Sequence, residues 1–308
     1  MDRPIEDGGY QWHYVDGVSD DGRWAVVVIA LLGNPFSPRY ARARRRSADR
    51  SPLRHCAMNV AVYGPHGSSW ALCERAIGAA ARSEHWLALG ASSMRWENGD
   101  LVVDVDERTT PLGRRLRCRL VLHPEAPPAG GFALDPGGRH AWWPVAPHGR
   151  IEVAIDCPAI RFRGAGYHDA NAGAVPLEES FSDWTWSRAR VGPGRTAVAY
   201  DIRSVDGTAT AYALDIDQKR GVRPMTGFDF TPLPSTAWHM ARRIRTDPDA
   251  RAEVMRNLED TPFYARALIH SRIAGVPVTV MHETLSLTRM KRRWVQFLLG
   301  FRMATASS

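Results

Sequence analysis

Two short segments of the chain concentrate side chains that can move protons or stabilise charge. One reads Arg139-His140-Ala141-Trp142-Trp143-Pro144, the other Gly164-Ala165-Gly166-Tyr167-His168-Asp169-Ala170-Asn171-Ala172-Gly173. Each holds an i, i+2 pair: His140 with Trp142, and Tyr167 with Asp169. In extended backbone such pairs share one side of their strand, so four groups can line one pocket. A purely structural reading competes, in which Asp169 and Asn171 satisfy backbone groups at a glycine-flanked turn and the tryptophans fill core. Neither His140 nor His168 has a carboxylate or cysteine at a familiar metal-site spacing, so no metal is expected. Trp184-Thr185-Trp186, with Phe181, has the same period-two geometry and reads as core as readily as pocket wall.

The elements that must position these groups are strands. Leu101, Val103 and Val105 alternate with polar residues after Asn98-Gly99, a pair suited to a tight hairpin turn. Leu116, Cys118, Leu120 and Leu122 repeat the alternation, as do Ile151, Val153 and Ile155. Val198, Tyr200 and Ile202 precede Asp206-Gly207, with Thr210, Tyr212, Leu214 and Ile216 beyond it, which predicts another hairpin. One stretch, from about Asp247 to Ile273, reads as helical: Asp247-Pro248 can start it, strand alternation is missing and Pro262 interrupts it. The closing segment from Leu285 to Met303 mixes apolar and basic residues and fits either an interfacial segment or a terminal strand. Many short strands divided by turns make an all-β barrel or sandwich protein, a class that often encloses one elongated apolar ligand.

Composition narrows the function further. The 308 residues allow one large core or two compact domains, and 44% apolar with 24% charged residues is ordinary for a folded, water-soluble protein. The net charge is +7, and all but Lys219 and Lys291 of the 40 basic residues are arginine. The cluster Arg39, Arg42, Arg44, Arg45, Arg46 and Arg50 lacks the interleaved aromatics of a nucleic-acid reader and suits anionic lipid headgroups better. Cys56, Cys73, Cys118 and Cys157 form no CxxC pair, which fits reduced thiols in the cytoplasm. No signal peptide or membrane-length apolar run is present. No GxSxG elbow, phosphate loop or dinucleotide fingerprint appears either.

Longer blocks carry a resemblance. Phe36-Ser37-Pro38, His55-Cys56-Ala57-Met58-Asn59-Val60-Ala61-Val62-Tyr63-Gly64-Pro65 and Ser92-Ser93-Met94-Arg95-Trp96 are similar to the carotenoid 1,2-hydratases, also called hydroxyneurosporene synthases. So are Gly166 to Asn171 with Pro176-Leu177-Glu178, Trp184 to Arg188, Glu259 to Arg266, and Phe301-Arg302-Met303, in collinear order over nearly the whole chain. The resemblance implies two lipocalin-like β-barrel or β-sandwich domains, placed at 1–172 and 173–308, and the helical stretch read above falls in the second. It implies hydration of the terminal C1–C2 double bond of an acyclic carotenoid, without a cofactor, by an enzyme peripherally associated with a membrane. His140, Trp142, Tyr167 and Asp169 carry over as catalytic positions, and Trp143, Asn171, Trp184 and Trp186 are expected to line the substrate.

Hydrating a trisubstituted terminal isoprene means protonating its less substituted carbon, which leaves a tertiary cation for water to capture. Asp169 is the expected general acid, since apolar walls favour the neutral form of a carboxyl group. Trp142 and Tyr167 stabilise the cation, by about 2 kcal/mol when desolvated. His140 orients or reprotonates Asp169, or positions the water. A related cyclase or isomerase, or a carrier that only binds polyenes, are the competing readings.

Overall fold

The computed structural model describes residues 1–46, 49–157, 159–302 and 304–305, with side chains described through residue 299. Met303, and the side chains of Phe301 and Arg302, therefore lie outside the described residues.

The chain forms two compact units, Met1–Pro176 with Phe297–Ser308, and Leu177–Gln296. The break expected at 172/173 lies a few residues upstream of the boundary at Pro176. In the first unit the strands are β1 (Tyr10–Ser19), β2 (Ala25–Leu32), β3 (Ala57–Gly64), β4 (Gly67–Glu74), β5 (Ala80–Arg82) and β6 (Trp86–Leu89). They continue with β7 (Ser92–Glu97), β8 (Asp100–Arg108), β9 (Arg115–Pro124), β10 (Phe132–Ala133), β11 (His140–Ile155) and β12 (Ile160–Gly173). Helix α1 (Pro38–Arg45) follows β2, with Ser37 as its N-cap accepting from the Tyr40 amide. The sheet runs β4-β3-β2-β1-β12-β11-β9-β8-β7-β6-β5, with β10 beside β11. β1 and β12 are thus central, with β11 next to β12, and among the described residues no ladder joins β4 to β5.

The sheet nevertheless curls, because one face of each limb is apolar. Val15, Val26, Val28, Met58, Val60 and Ala71 from β1 to β4 share one buried core with Leu87, Met94, Val103, Leu120 and Ile151 from the other limb. Burying a side chain of this size is worth about 1.5–3 kcal/mol, so the joint core dominates closure. A polar clasp reinforces it. Glu107 on β8 accepts from Arg75, just past β4, and from the Ser92 hydroxyl at the start of β7. Both side chains of the Arg75–Glu107 pair are buried.

The second unit contains a seven-stranded antiparallel sheet. The strands of the unit are β13 (Phe181–Gly192), β14 (Arg195–Ser204), β15 (Ala209–Asp217), β16 (Gly221–Pro224), β17 (Asp229–Leu233) and β18 (Arg242–Thr246), then β19 (Glu253–Asp260), β20 (Tyr264–Ile273) and β21 (Val276–Ser286), with β17 and β18 forming a separate two-stranded sheet. The order is β16-β15-β14-β13-β21-β20-β19, and the β17–β18 hairpin places Leu233 and Ile244 on its core. The hairpins read from Asn98-Gly99 and Asp206-Gly207 join β7 to β8 and β14 to β15, and Asn98 takes the positive φ such a turn needs.

The expected helix over 247–273 is a correction: that stretch is the β19–β20 hairpin. Asp247 does not cap a helix; its carboxylate accepts from the Ala274 and Gly275 amides, each at 2.7 Å, and so fixes the β20–β21 turn. The alternation was hidden because β20 is buried on both faces, with Ala265, Ala267 and Ile269 on one side and a fully buried, ion-paired Arg266 on the other. Helix appears instead near the C-terminus, where neither an interfacial segment nor a long strand had been distinguished. After the short helix α2 (Leu177–Ser180) come α3 (Leu287–Met290) and α4 (Arg293–Arg302). A short β22 (Ala304–Thr305) then pairs parallel with β4. No described helix is long and apolar enough to cross a membrane.

Replacing Glu107 with alanine leaves the buried Arg75 cation without its counter-charge and should cost about 3–5 kcal/mol of stability. Urea unfolding reads this as a lowered midpoint, and a change under about 1 kcal/mol would show that the clasp does not hold the limbs.

Candidate active site

Three adjacent central strands build the site. In the ladder, Trp142 and Asn171 are opposite, Pro144 faces Asp169, and Tyr14 and Asp16 of β1 face Asp169 and Tyr167. Strand alternation therefore sends His140, Trp142, Tyr167, Asp169 and Asn171 to one face together with Tyr10, Trp12, Tyr14 and Asp16. Their opposites on β12, His168 and Ala170, point to the other face. β1 and this part of β12 are buried on both faces, so each side chain has to be matched by a neighbour.

Asp169 is the centre of the cluster. The Trp142 indole donates its Nε1–H to Asp169 Oδ2 at 2.8 Å, and the Tyr167 hydroxyl donates to the same oxygen at 3.0 Å. Trp142 and Tyr167 are fully buried and Asp169 is 5% exposed. Phe132 on β10 packs against the Trp142 ring at 5.3 Å between centres, and Tyr14 meets Tyr167 edge-on at 6.3 Å. A carboxyl group is thus held in one orientation by two donors inside an aromatic wall.

His140 lies at the Gly173 level of β12, where its Nδ1 is 2.9 Å from the Tyr10 hydroxyl. Its backbone amide donates to Asp135, at 2.8 Å. Burial pushes the His140 pKa down to about 4, against a smaller opposing effect of Asp135, so the ring is neutral near pH 7. Gly173 makes the Tyr10–His140 contact possible, because a Cβ there would run into both His140 Nδ1 and the Tyr10 ring.

The remaining expected residues divide. Asn171 is on the Asp169 face, buried, and its Nδ2 has no partner in the protein. Trp143 is on the opposite face from Trp142, half-buried, with the Arg3 guanidinium 4.4 Å from its ring centre. Trp184 and Trp186 belong to the second unit, on β13, where Trp184 meets Phe181 and Tyr200 edge-on at 6.3 and 6.1 Å. Sequence reasoning missed Tyr10, Trp12 and Tyr14. Their signal was present as an aromatic at every second position of Tyr10-Gln11-Trp12-His13-Tyr14. Among the described residues no three His, Cys, Asp or Glu side chains gather as a metal cage.

Fold and cluster together define a class: an all-β, lipocalin-like protein with a carboxyl group fixed by aromatic donors. Comparison with known proteins makes this specific. The family model described as carotenoid hydratase CrtC matches residues 28–307, and the chain belongs to that family. An acyclic carotenoid 1,2-hydratase of Thiocapsa roseopersicina is 43% identical over 304 residues, 98% of this chain and 75% of the relative. One from Rubrivivax gelatinosus is 42% identical over 308 residues, again 98% of this chain and 75% of the relative. Among solved structures, a putative AttH from Nitrosomonas europaea superposes with a TM-score of 0.68 at 15% identity, covering 92% of this chain and 93% of that one. Kievitone hydratase from Nectria haematococca gives 0.59 at 10% identity, covering 94% and 92%. At such identities these two likenesses speak to the fold alone.

Two outcomes test the site's construction. Gly173→Ala should separate Tyr10 from His140 and cost about 1–3 kcal/mol through overpacking, read by thermal unfolding. The buried histidines also set a pH dependence. Burial lowers the pKa of His140 and His168 to about 4 and of His282 to about 3. Unfolded histidines take up protons near pH 6.5 while the folded rings stay neutral, so stability is full above about pH 6.5 and falls as the pH drops toward 4. The melting temperature should be lower at pH 5 than at pH 7.5; an equal or higher value at pH 5 would contradict this.

Proposed function

We propose that the protein hydrates the terminal C1–C2 double bond of an acyclic carotenoid of the neurosporene or lycopene type, with Asp169 as the proton donor. The observation that carries this reading is the convergence of Trp142 Nε1–H and Tyr167 O–H on Asp169 Oδ2. An oxygen that receives two donors is held as an acceptor, so the acid's proton sits on Oδ1. Transfer of that proton to C2 leaves a tertiary cation at C1. Water adds to C1, its proton returns through solvent to the Asp169 carboxylate, and the sum is one water added per double bond. Every step uses side chains and water, so the reaction as written needs no cofactor.

The aromatic groups have distinct parts in this scheme. Trp142 and Tyr167 fix the carboxyl group, and the rings around it supply faces toward a cation in a site of low dielectric. His140, neutral and tied to Tyr10, steadies the wall and is a hydrogen-bonding partner for the attacking water. Asn171 offers its unpartnered Nδ2–H to the same water or to the new hydroxyl. Phe132, Tyr10, Trp12 and Tyr14, which surround the Asp169 face, are the further apolar surface for the polyene.

A polyene of this kind resides in lipid, and a peripheral contact with an anionic membrane surface gives the enzyme access to it. Support comes from the net charge of +7 and from Arg39, Arg42 and Arg45, exposed on helix α1. Each basic residue near such a surface is worth about 1 kcal/mol.

The test is incubation with lycopene in detergent under argon in oxygen-18 water. Wild-type protein should yield a labelled 1-hydroxy product, and Asp169→Asn should yield none while still binding the polyene. An isomer without added mass would mean a cyclase or isomerase, and binding without conversion would mean a carrier. Tyr167→Phe and Trp142→Phe each remove one donor to Asp169 while keeping an aromatic ring, and each should lower kcat about tenfold, the equivalent of about 1.4 kcal/mol. Unchanged rates in both variants would remove the two donors from the mechanism.

A further inference from the structure

Behind the catalytic strand, on the inner face of the same sheet, a second set of polar groups is fully enclosed. His13 on β1 and His168 on β12 are diagonal neighbours there, 5% and 0% exposed, with ring centres 5.8 Å apart. His13 Nδ1 and His168 Nε2 are both buried, and neither has a hydrogen-bond partner in the protein. Orphaned nitrogens on two neighbouring rings are uncommon, because an unsatisfied buried polar group costs about 1–3 kcal/mol.

The surrounding bonds fix which nitrogen carries the proton on each ring. Arg82 Nη1 approaches Gln11 Oε1 at 3.3 Å, and a guanidinium only donates, so that end of the amide is oxygen. Gln11 Nε2 is then the group 3.3 Å from His13 Nε2. An amide nitrogen also only donates, so His13 Nε2 presents its lone pair and Nδ1 carries the hydrogen. On the other side His168 Nδ1 is 2.8 Å from the Tyr14 carbonyl. A carbonyl only accepts, so His168 Nδ1 carries the hydrogen and Nε2 is bare. Burial keeps both rings neutral, which preserves these tautomers.

The result is a directed chain, Arg82 to Gln11 to His13, and His168 to Tyr14, interrupted once. One of the two neighbouring rings offers an unused donor and the other an unused acceptor, with ring centres 5.8 Å apart. A metal ion would need two lone pairs and an anion two N–H groups, and neither fits. A group that accepts one hydrogen bond and donates another fits, and that is a hydroxyl. We propose that the inner face of this unit holds a hydroxylic ligand, a single water or the hydroxyl of a small alcohol, bridging His13 Nδ1–H to His168 Nε2. It completes a hydrogen-bond chain from the Arg82 guanidinium to the Tyr14 carbonyl, at the level where β1 pairs with Asp169. Buried waters ordinarily make about three such bonds, so two ring contacts are within the usual range.

Nuclear magnetic resonance on the full chain with nitrogen-15 histidine tests this without any variant. Long-range correlations should find both rings neutral, each protonated at Nδ1 and bare at Nε2, and the His13 Nδ1–H should give a cross-peak to a bound hydroxyl. A cross-peak at the water frequency identifies water; one accompanied by carbon-bound protons identifies an alcohol. His168→Asn keeps a donor for the Tyr14 carbonyl and removes the far acceptor, so the cross-peak should be lost or reduced severalfold while the Tyr14 amide signal stays in place. A reversed tautomer on either ring, two charged rings, or a direct nitrogen-to-nitrogen coupling between His13 and His168 would overturn the proposal.

Discussion

A carboxyl group buried among rings is the constraint on which the first unit is organised. Left alone, Asp169 would be a costly burial, since a polar group removed from water needs partners to offset its lost hydration. Trp142 and Tyr167 supply them, and both donations fall on one oxygen. That requirement places Trp142 on β11 and Tyr167 on β12 in a fixed register, because a slip of one residue would send every one of these side chains to the other face. The catalytic proposal and the stability of the central strands therefore rest on the same two hydrogen bonds.

Burial on both faces then explains the unusual texture of β12. A half-exposed strand alternates apolar with polar residues, whereas here the outward positions Tyr167, Asp169 and Asn171 and the inward positions His168 and Ala170 are all enclosed. Polar groups on both faces must find partners within the protein. Several do: the Tyr167 hydroxyl donates to Asp169, and His168 Nδ1 bonds the Tyr14 carbonyl on the strand that borders both systems, while Asn171 Nδ2 and His168 Nε2 are left over. Glycine is used where room is shortest, as at Gly173, which lets Tyr10 and His140 approach across the end of the ladder.

Much of this was legible in the sequence, for physical reasons. Side chains two apart share a strand face, so the His140–Trp142 and Tyr167–Asp169 pairs could be read as facing one way, and Asn98-Gly99 announced its hairpin through the backbone it prefers. The all-β class followed from the same alternation. Where alternation is masked by burial on both faces the reading failed, as in β20, whose alanines and buried Arg266 imitated a helix. Long-range partners were also hidden: nothing near Asp247 in the sequence indicates that it caps the turn at Ala274 and Gly275. That His140 pairs with Tyr10 needed the ladder β1-β12-β11, which brings together residues 130 positions apart.

In the proposed reaction the first chemical event is proton transfer from Asp169 to carbon. The most direct measurement is turnover of lycopene in deuterium oxide, with the product's carbon-bound deuterium located by mass spectrometry and nuclear magnetic resonance. One deuterium at C2 for each hydroxyl at C1 is expected, and none of this product from Asp169→Asn. A hydroxylated product without carbon-bound deuterium, or the same deuterated product formed undiminished by Asp169→Asn, would contradict it.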